Sequence, residues 1–318
     1  MQKYGSQRHY GQTLRPKSLS EQSMTTRRGR EGSGAFKSFI VRIKTTLILL
    51  PFGIFVVFFS YLNGLPLFII LVIISSIINF EIFNMVENKG FRFYLWVNNI
   101  GISVNSLNYY LFGLGVYDIN LFFLIQLFLL IIIIFVITLI ESVSGKFEFS
   151  IEHVGVSIFG YILLGIFFPF AILLKMHDLS GWILSIVLFI TWFSDTGGFI
   201  FGRFFGRHKI KFLSSPNKTV EGYIGTLLFG YLTAGILFLL QSIFNFSVKF
   251  SILQFFIFST CIILAGILGD LSESTFKRWA HQKDSGEILP GHGGFFDRFD
   301  SVIYSIPVFY LIIKLMGY

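Results

Sequence analysis

Charge is scarce in this chain. Asp, Glu, Lys and Arg make up 13% of its 318 residues, about half the ~25% usual in soluble domains. Cysteine is nearly absent. Cys261 stands alone, which excludes an intramolecular disulfide, and nothing in the chain has the spacing of a zinc site. Cys261 lies in an apolar run and reads as a small core residue. No 20–50-residue repeat is visible, which argues against a solenoid or a transporter built from obvious repeats. A cleavable signal peptide is not expected, because the first polar stretch is too long and no small-residue cleavage site follows a short apolar run.

What fills the chain instead is apolar surface. Hydrophobic residues are 54% of it and mean hydropathy is +0.74, more than a water-soluble domain of this size can hide. The 42 phenylalanines suit a lipid-facing surface as well as a packed core. The expectation is an all-α, polytopic integral membrane protein. Met1 to Phe36 differs from the rest: it is polar, basic and too poor in apolar residues to form a core, so disorder is expected over 1–36. Arg27, Arg28 and Arg30 read as part of a solvated tail, and no nucleic-acid partner is expected. A spanning helix needs ~20 mostly apolar residues. Nine stretches qualify, at about 45–62, 66–86, 94–115, 120–140, 154–174, 181–202, 222–243, 251–269 and 300–317, with eight to ten as the range. The third is the most polar, carrying Asn98, Asn99, Asn105 and Asn108, and is expected to line a cavity or to break. Glu81 in the second span should face protein or water rather than lipid. Residues 37–180 are expected to form an amino-terminal membrane region and 181–318 a carboxy-terminal one that carries the candidate chemistry set out below.

Lys and Arg set the orientation, since they accumulate in cytoplasmic loops. With Arg42 and Lys44 inside, alternate loops carry Lys89 and Arg92, then Lys146, then Arg203, Arg207, Lys209, Lys211 and Lys218, then Lys277, Arg278, Lys283 and Arg298. The other side has Lys175, Lys249 and Lys314. The amino terminus is therefore expected inside and the carboxyl terminus outside.

The two most basic loops hold the candidate chemistry. Asp195 ends an apolar span, where an ionisable group needs a partner or a function. Gly198, Gly202 and Gly206 recur every four residues, and close helix packing is favoured for them over phosphate contact. Ser215-Pro216-Asn217-Lys218-Thr219 is a turn that exposes a lysine and two hydroxyls, a weak phosphate signal alone. In the later loop, Asp270 closes one span while Asp297 and Asp300 open the next. Helices joined by a short loop tend to be antiparallel neighbours, so the three carboxylates can converge near one membrane surface. Hard oxygen ligands of this kind suit Mg²⁺ with substrate phosphates. If 270–278 continue the helix, Asp270, Ser274 and Lys277 share a face. His292 either donates to a phosphate or holds the loop.

The run from Ser274 to Asp300 resembles the signature of phosphatidate cytidylyltransferases, also called CDP-diacylglycerol synthases. The pattern is Ser-x-apolar-Lys-Arg, four residues, Lys-Asp-x-small, two residues, apolar-Pro-x-His-Gly-Gly-apolar-x-Asp-Arg-apolar-Asp, and every specified position is filled. Ser194–Arg203 and Ser215–Gly222 also look like that family's, and the resemblance covers roughly residues 37–318. It implies transfer of CMP from CTP to phosphatidic acid, with Mg²⁺ and a second, monovalent cation, K⁺. It implies Asp270 and Asp297 as metal ligands, with Asp300 a weaker candidate. Lys218, Lys277, Arg278, Lys283 and Arg298 would meet phosphates, while Asp195, Arg203, Ser215, Thr219, Glu221, Ser274 and His292 are further substrate-side candidates. The implied setting is a bacterial inner membrane with the site cytoplasmic, and a homodimer is compatible with it. Two other readings are weighed: a CTP-dependent polyprenol kinase, and a transporter or channel. The complete signature argues against the first, and clustering of the acids at one surface against the second. Withdrawing two acyl chains into water would cost about 0.8 kcal/mol per CH₂. A cavity reached from both water and lipid is therefore expected, floored by Asp270, Asp297, Lys277 and Arg278, with Phe295 and Phe296 as candidates for its apolar wall.

Overall fold

The computed structural model of the chain describes residues 51–145, 147–244, 246, 248–288 and 293–318. The basic tail (1–36), the start of the first expected span, Lys146 and His292 lie outside the described residues. Among those described, every element is helical except one isolated antiparallel bridge, Lys209 with Thr219.

The helices follow the apolar runs. Residues 51–58 form α1, then come α2 (Leu65–Asn88), α3 (Leu95–Gly113), α4 (Ile119–Ser144), α5 (Ser150–Tyr161), α6 (Phe170–His177), α7 (Trp182–Phe205), α8 (Val220–Ile243), α9 (Ile252–Trp279) and α10 (Phe296–Leu315). Six runs are long and apolar enough to cross a bilayer: Tyr61–Asn88, Ile119–Ser144, Ser150–His177, Trp182–Phe205, Val220–Ile243 and Ile252–Trp279. The chain is a multi-pass membrane protein. Helices α3 and α10 fall outside the six, α3 because of its asparagines and α10 because Asp297, Arg298 and Asp300 crowd its first turns.

Helix α3 neither breaks nor lines the main cavity. Its amides are used against the next helices. Asn98 Nδ2 donates to Ser157 O (2.8 Å), Asn105 Nδ2 to Gly165 O (2.6 Å) and Asn108 Nδ2 to Gln126 Oε1 (3.3 Å), while Asn99 Oδ1 accepts from Asn79 (2.9 Å). The reason lies opposite. Between α5 and α6 the chain winds as a π-helix over Ile162–Phe167, a local widening that disturbs the backbone ladder. Asn105 and the Tyr109 hydroxyl (2.9 Å to Ile166 O) reach carbonyls of that widened turn.

The carboxy-terminal helices pack more tightly. Helix α7 lies along α8 through small residues: a Cβ on Gly197 would stand 2.6 Å from Gly225 O, and one on Gly225 would stand 2.6 Å from Gly197 O. The glycine spacing read from the sequence thus serves packing, with Gly198 against Thr226 and Gly202 near Gly222. Helix α9 lies along α10, and a Cβ on Gly269 would stand 2.5 Å from Asp300 O. Helix α10 also packs on α7, so α7, α8, α9 and α10 form one group. At the other end of α6, the buried Lys175 ammonium donates to Val57 O (2.6 Å) and Leu179 O (2.7 Å), tying α1 to the bundle.

The helix continues past the apolar stretch expected to end at residue 269, as the shared face of Asp270, Ser274 and Lys277 requires. Helix α9 runs ten residues further, to Trp279. Polar residues end a hydropathy signal, but they do not end a helix when they pair within it. Lys277 Nζ meets Glu273 Oε2 at 2.7 Å, one turn back.

Candidate active site

A cavity of about 1410 Å³ lies among α1, α2, α7, α8, α9 and α10. Most of its wall is apolar, including Ile70, Ile74, Phe168, Leu188, Trp192, Phe295 and Phe299. Asp195, Arg203, Ser215, Lys218, Thr219, Asp270, Asp297, Arg298 and Asp300 also line it. Phe296 is buried in the packed core instead. Lys277, Arg278 and Lys283 do not contribute to its wall.

Each polar side chain is placed by a local device. The close approach at Gly269 brings Asp270 of α9 beside Asp300 of α10. Glu273 follows on the same face of α9, one turn after Asp270. Oxygen atoms of Asp270, Glu273 and Asp300 all lie within 4.8 Å of one another. Glu273 is 2% exposed, and its Oε1 receives no hydrogen bond from the described residues. Gathering three carboxylates around the buried Glu273, with Asp270 and Asp300 half-buried, is unfavourable without a compensating cation or shared protons. Two lysines stand nearby. Lys218 pairs with Asp270 Oδ2, and Lys277 bridges Glu273 Oε2 and Asp297 Oδ1, each at 2.7 Å. Ser274 Oγ is 3.5 Å from Asp270 Oδ1. Asp195 enters from α7 close to Asp270, with a hydrogen bond to the Ser301 side chain.

Asp297 has a different environment. Its Oδ2 accepts from Ser285 N (3.0 Å), Ser285 Oγ (3.0 Å) and Gly294 N (2.9 Å), while Oδ1 takes Lys277. It sits in the first turn of α10, where the helix dipole also favours a negative charge. Ser285 and Gly294 are held in turn by Glu81 of α2. The Glu81 carboxylate accepts from Ser285 Oγ (3.2 Å), Phe295 N (2.9 Å) and Phe296 N (2.9 Å). Gly294 passes so close that a Cβ there would stand 2.1 Å from Ser285 Oγ. Glu81 faces protein, as its place in an apolar span requires.

The α7–α8 connection is a short hairpin. Ile210 N donates to Lys218 O (2.8 Å) and Val220 N to His208 O (2.9 Å). The Glu221 carboxylate accepts from His208 N (3.2 Å) and meets its Nδ1 (2.6 Å). Thr219 Oγ1 caps α8 by accepting from Gly222 N at 3.1 Å. Glu221 thus shapes the turn that presents Ser215 and Lys218. Thr219 caps the helix there and also lines the cavity. Arg278 is exposed and donates from Nε to Ser214 O (3.2 Å), joining the hairpin to α9. Lys283 is exposed.

The structure therefore brings Asp195, Lys218, Asp270, Asp297, Arg298 and Asp300 to one cavity and sets Arg278 and Lys283 outside its wall. Behind the wall, beside Asp270 and Asp300, it adds Glu273, which sequence reasoning passed over. The available signal was its position three residues after Asp270 in a helix that continues past the apolar run.

Comparison with known proteins places these features in context. The profile of the Cytidylyltransferase family matches residues 40–316. A phosphatidate cytidylyltransferase of Staphylococcus saprophyticus is 38% identical over 182 residues, 56% of this chain and 65% of that protein. Proteins of the same name from Staphylococcus haemolyticus and Staphylococcus aureus are 38% and 39% identical over 191 residues, 59% of this chain and 70% of each relative. The chain thus spans about two thirds of the length of these curated relatives. With a family profile running through nearly all the described helices, the chain belongs to the cytidylyltransferase family.

Proposed function

We propose that this chain is a phosphatidate cytidylyltransferase, transferring CMP from CTP to phosphatidic acid to give CDP-diacylglycerol and pyrophosphate. The observation that carries the reading is the single cavity in which a carboxylate and lysine cluster adjoins a long apolar wall. A triphosphate suits the first part and acyl chains suit the second.

A lipid phosphate oxygen attacks the α-phosphorus of CTP, a new P–O bond forms, the α–β anhydride bond breaks and pyrophosphate leaves with that electron pair. No general base is required, because a phosphate monoester is already ionised near neutral pH. Both reactants are anionic, so cationic side chains at the cavity lower the barrier to approach. Lys218, Arg203 and Arg298 line the cavity and would bind phosphates. Lys277 balances Glu273 and Asp297. The Ser285 and Gly294 amides keep Asp297 ionised and fixed, so it orients Lys277.

The donor set fits a divalent ion. Asp270, Glu273 and Asp300 offer hard oxygens within 4.8 Å of one another, and Glu273 Oε1 is buried without a hydrogen bond from the described residues. Mg²⁺ suits such a set, with Asp270, Glu273 and Asp300 as its holders and Asp297 and Asp195 beside them. Bound there, it would neutralise phosphate charge and align the displacement. A monovalent cation, K⁺, belongs to the same reading through the family resemblance.

The setting follows from the loop charges: a bacterial cell membrane with the amino terminus and active site cytoplasmic, nine spans in all, a membrane region to residue 180 and a catalytic region from 181. A homodimer is compatible with it. Purified protein given labelled CTP and phosphatidate should form labelled CDP-diacylglycerol. Labelled transfer to a polyprenol instead, or no product with either lipid at saturating Mg²⁺, would overturn the reading.

A further inference from the structure

We infer that the hairpin between α7 and α8 is an interfacial foot that lies in the headgroup layer of an anionic lipid surface. Both flanking helices are long and apolar enough to cross the bilayer, so residues 206–219 sit at its edge whichever face is cytoplasmic. The hairpin is held in shape by the Ile210–Lys218 and His208–Val220 backbone bonds and by the His208–Glu221 pair. Its outer surface is unusual for a segment in water. Leu213 is 99% exposed and Phe212 38%, and on the last turn of α7 that leads into the hairpin Phe204 is 74% and Phe205 59% exposed. Arg203, Arg207, Lys209 and Lys211 are interleaved with them and exposed. No acidic residue occurs from Arg203 to Lys218.

Interleaved basic and bulky apolar side chains are what an interface seat requires. The apolar groups enter the acyl boundary while the cations meet headgroup phosphates. The absence of any carboxylate in the segment commits the foot to anionic lipids, since a zwitterionic surface offers little net field to four exposed cations. The hairpin also joins this surface to the cavity. Ser215 and Lys218 line the cavity, and Ser214 O is bonded to Arg278 of α9. Headgroup phosphates gathered by the foot are thereby concentrated beside the cavity's polar residues. The inference rests on exposure and charge and holds whichever reaction the cavity performs.

The test uses the full chain with Cys261→Ser and Leu213→Cys carrying a nitroxide label. It is placed in nanodiscs of phosphatidylglycerol or of phosphatidylcholine. Collision rates with oxygen and with a water-soluble nickel chelate report depth. In phosphatidylglycerol the label should be reached by oxygen and shielded from nickel. The shielding should be lost in phosphatidylcholine, and in phosphatidylglycerol when Arg207, Lys209 and Lys211 are all changed to Gln. Nickel access in both lipids would place the hairpin in water. Equal shielding in both lipids would remove the anionic requirement. Shielding from both reagents would mean protein contact, and each of these three results overturns the inference.

Discussion

Buried acids occur in both halves of this protein, and they are treated in opposite ways. In the amino-terminal half, Glu81 accepts from two backbone amides and a serine. Glu141 accepts from the Tyr94 hydroxyl, from Ser150 Oγ at 2.8 Å and from His153 Nδ1 at 2.9 Å. On α9 and α10, by contrast, Asp270, Glu273 and Asp300 face one another, and one Glu273 oxygen has no donor among the described residues. Saturated acids hold the architecture together. Acids left with spare oxygens are those able to take a cation or a substrate. Asp297 stands at the boundary, close to the cluster but with both oxygens occupied.

The sharpest way to break that comparison is to neutralise its open members. Asp270→Asn and Asp300→Asn should each lower turnover by roughly 10²–10³-fold, with the protein still inserting and purifying normally. Activity within a few-fold of the parent at saturating Mg²⁺ would take the changed residue out of the cluster's chemistry. Glu273→Gln should cost roughly 10–100-fold in activity or metal affinity, yet leave the thermal midpoint no lower than the parent's, because one of three mutually repelling carboxylates is gone. A clear drop in midpoint would make Glu273 another structural acid.

Lys218→Ala should raise the KM for CTP about tenfold, the worth of one charge-assisted contact, with little effect on folding. Unchanged KM and turnover would reduce the hairpin's role in nucleotide binding to that of a connector. For the saturated class the order reverses. Glu81→Gln should cost ~1–3 kcal/mol in stability by placing an amide donor against backbone N–H groups, and denaturation in detergent would show it. Asn105→Leu should cost ~1 kcal/mol by leaving the Gly165 carbonyl without its partner, with CTP kinetics unaltered. A kinetic defect without a stability defect in Asn105→Leu would dissolve the distinction between the two halves.

Much of this was legible before any coordinates. Apolar runs located α2, α4, α7 and α8 to within a few residues, because a spanning helix is defined by transfer of its side chains into lipid. The glycines at 198 and 202 were readable as a packing surface for a similar reason: spacing by four lines them up on one helix face. What escaped was set by tertiary contact. The asparagines of α3 looked like a cavity lining because nothing in the sequence announces their helix partners or the π turn that Asn105 serves. Glu273 escaped although a helix continuing past Asp270 was foreseen, because its part depends on Asp300 arriving from α10 across the crossing at Gly269. The Asp297 environment depends on Ser285 returning from twelve residues away, under the control of a glutamate two hundred residues upstream. No local pattern encodes that meeting.

The contact at Gly269 bears on how such a site tolerates change. The backbones of α9 and α10 meet there, with a Cβ on Gly269 only 2.5 Å from Asp300 O. The spacing between Asp270 and Asp300 is therefore gauged by a helix crossing rather than by the loop joining the two helices. Lengthening or rewriting the loop around residues 286–288 leaves that gauge untouched. A single methyl group, Gly269→Ala, forces the two helices apart and reaches the carboxylates at once. In mechanical language the helices are the fixed jaws and the loop is the adjustable cover, so variation that retunes what enters can accumulate in the cover while the jaws stay set.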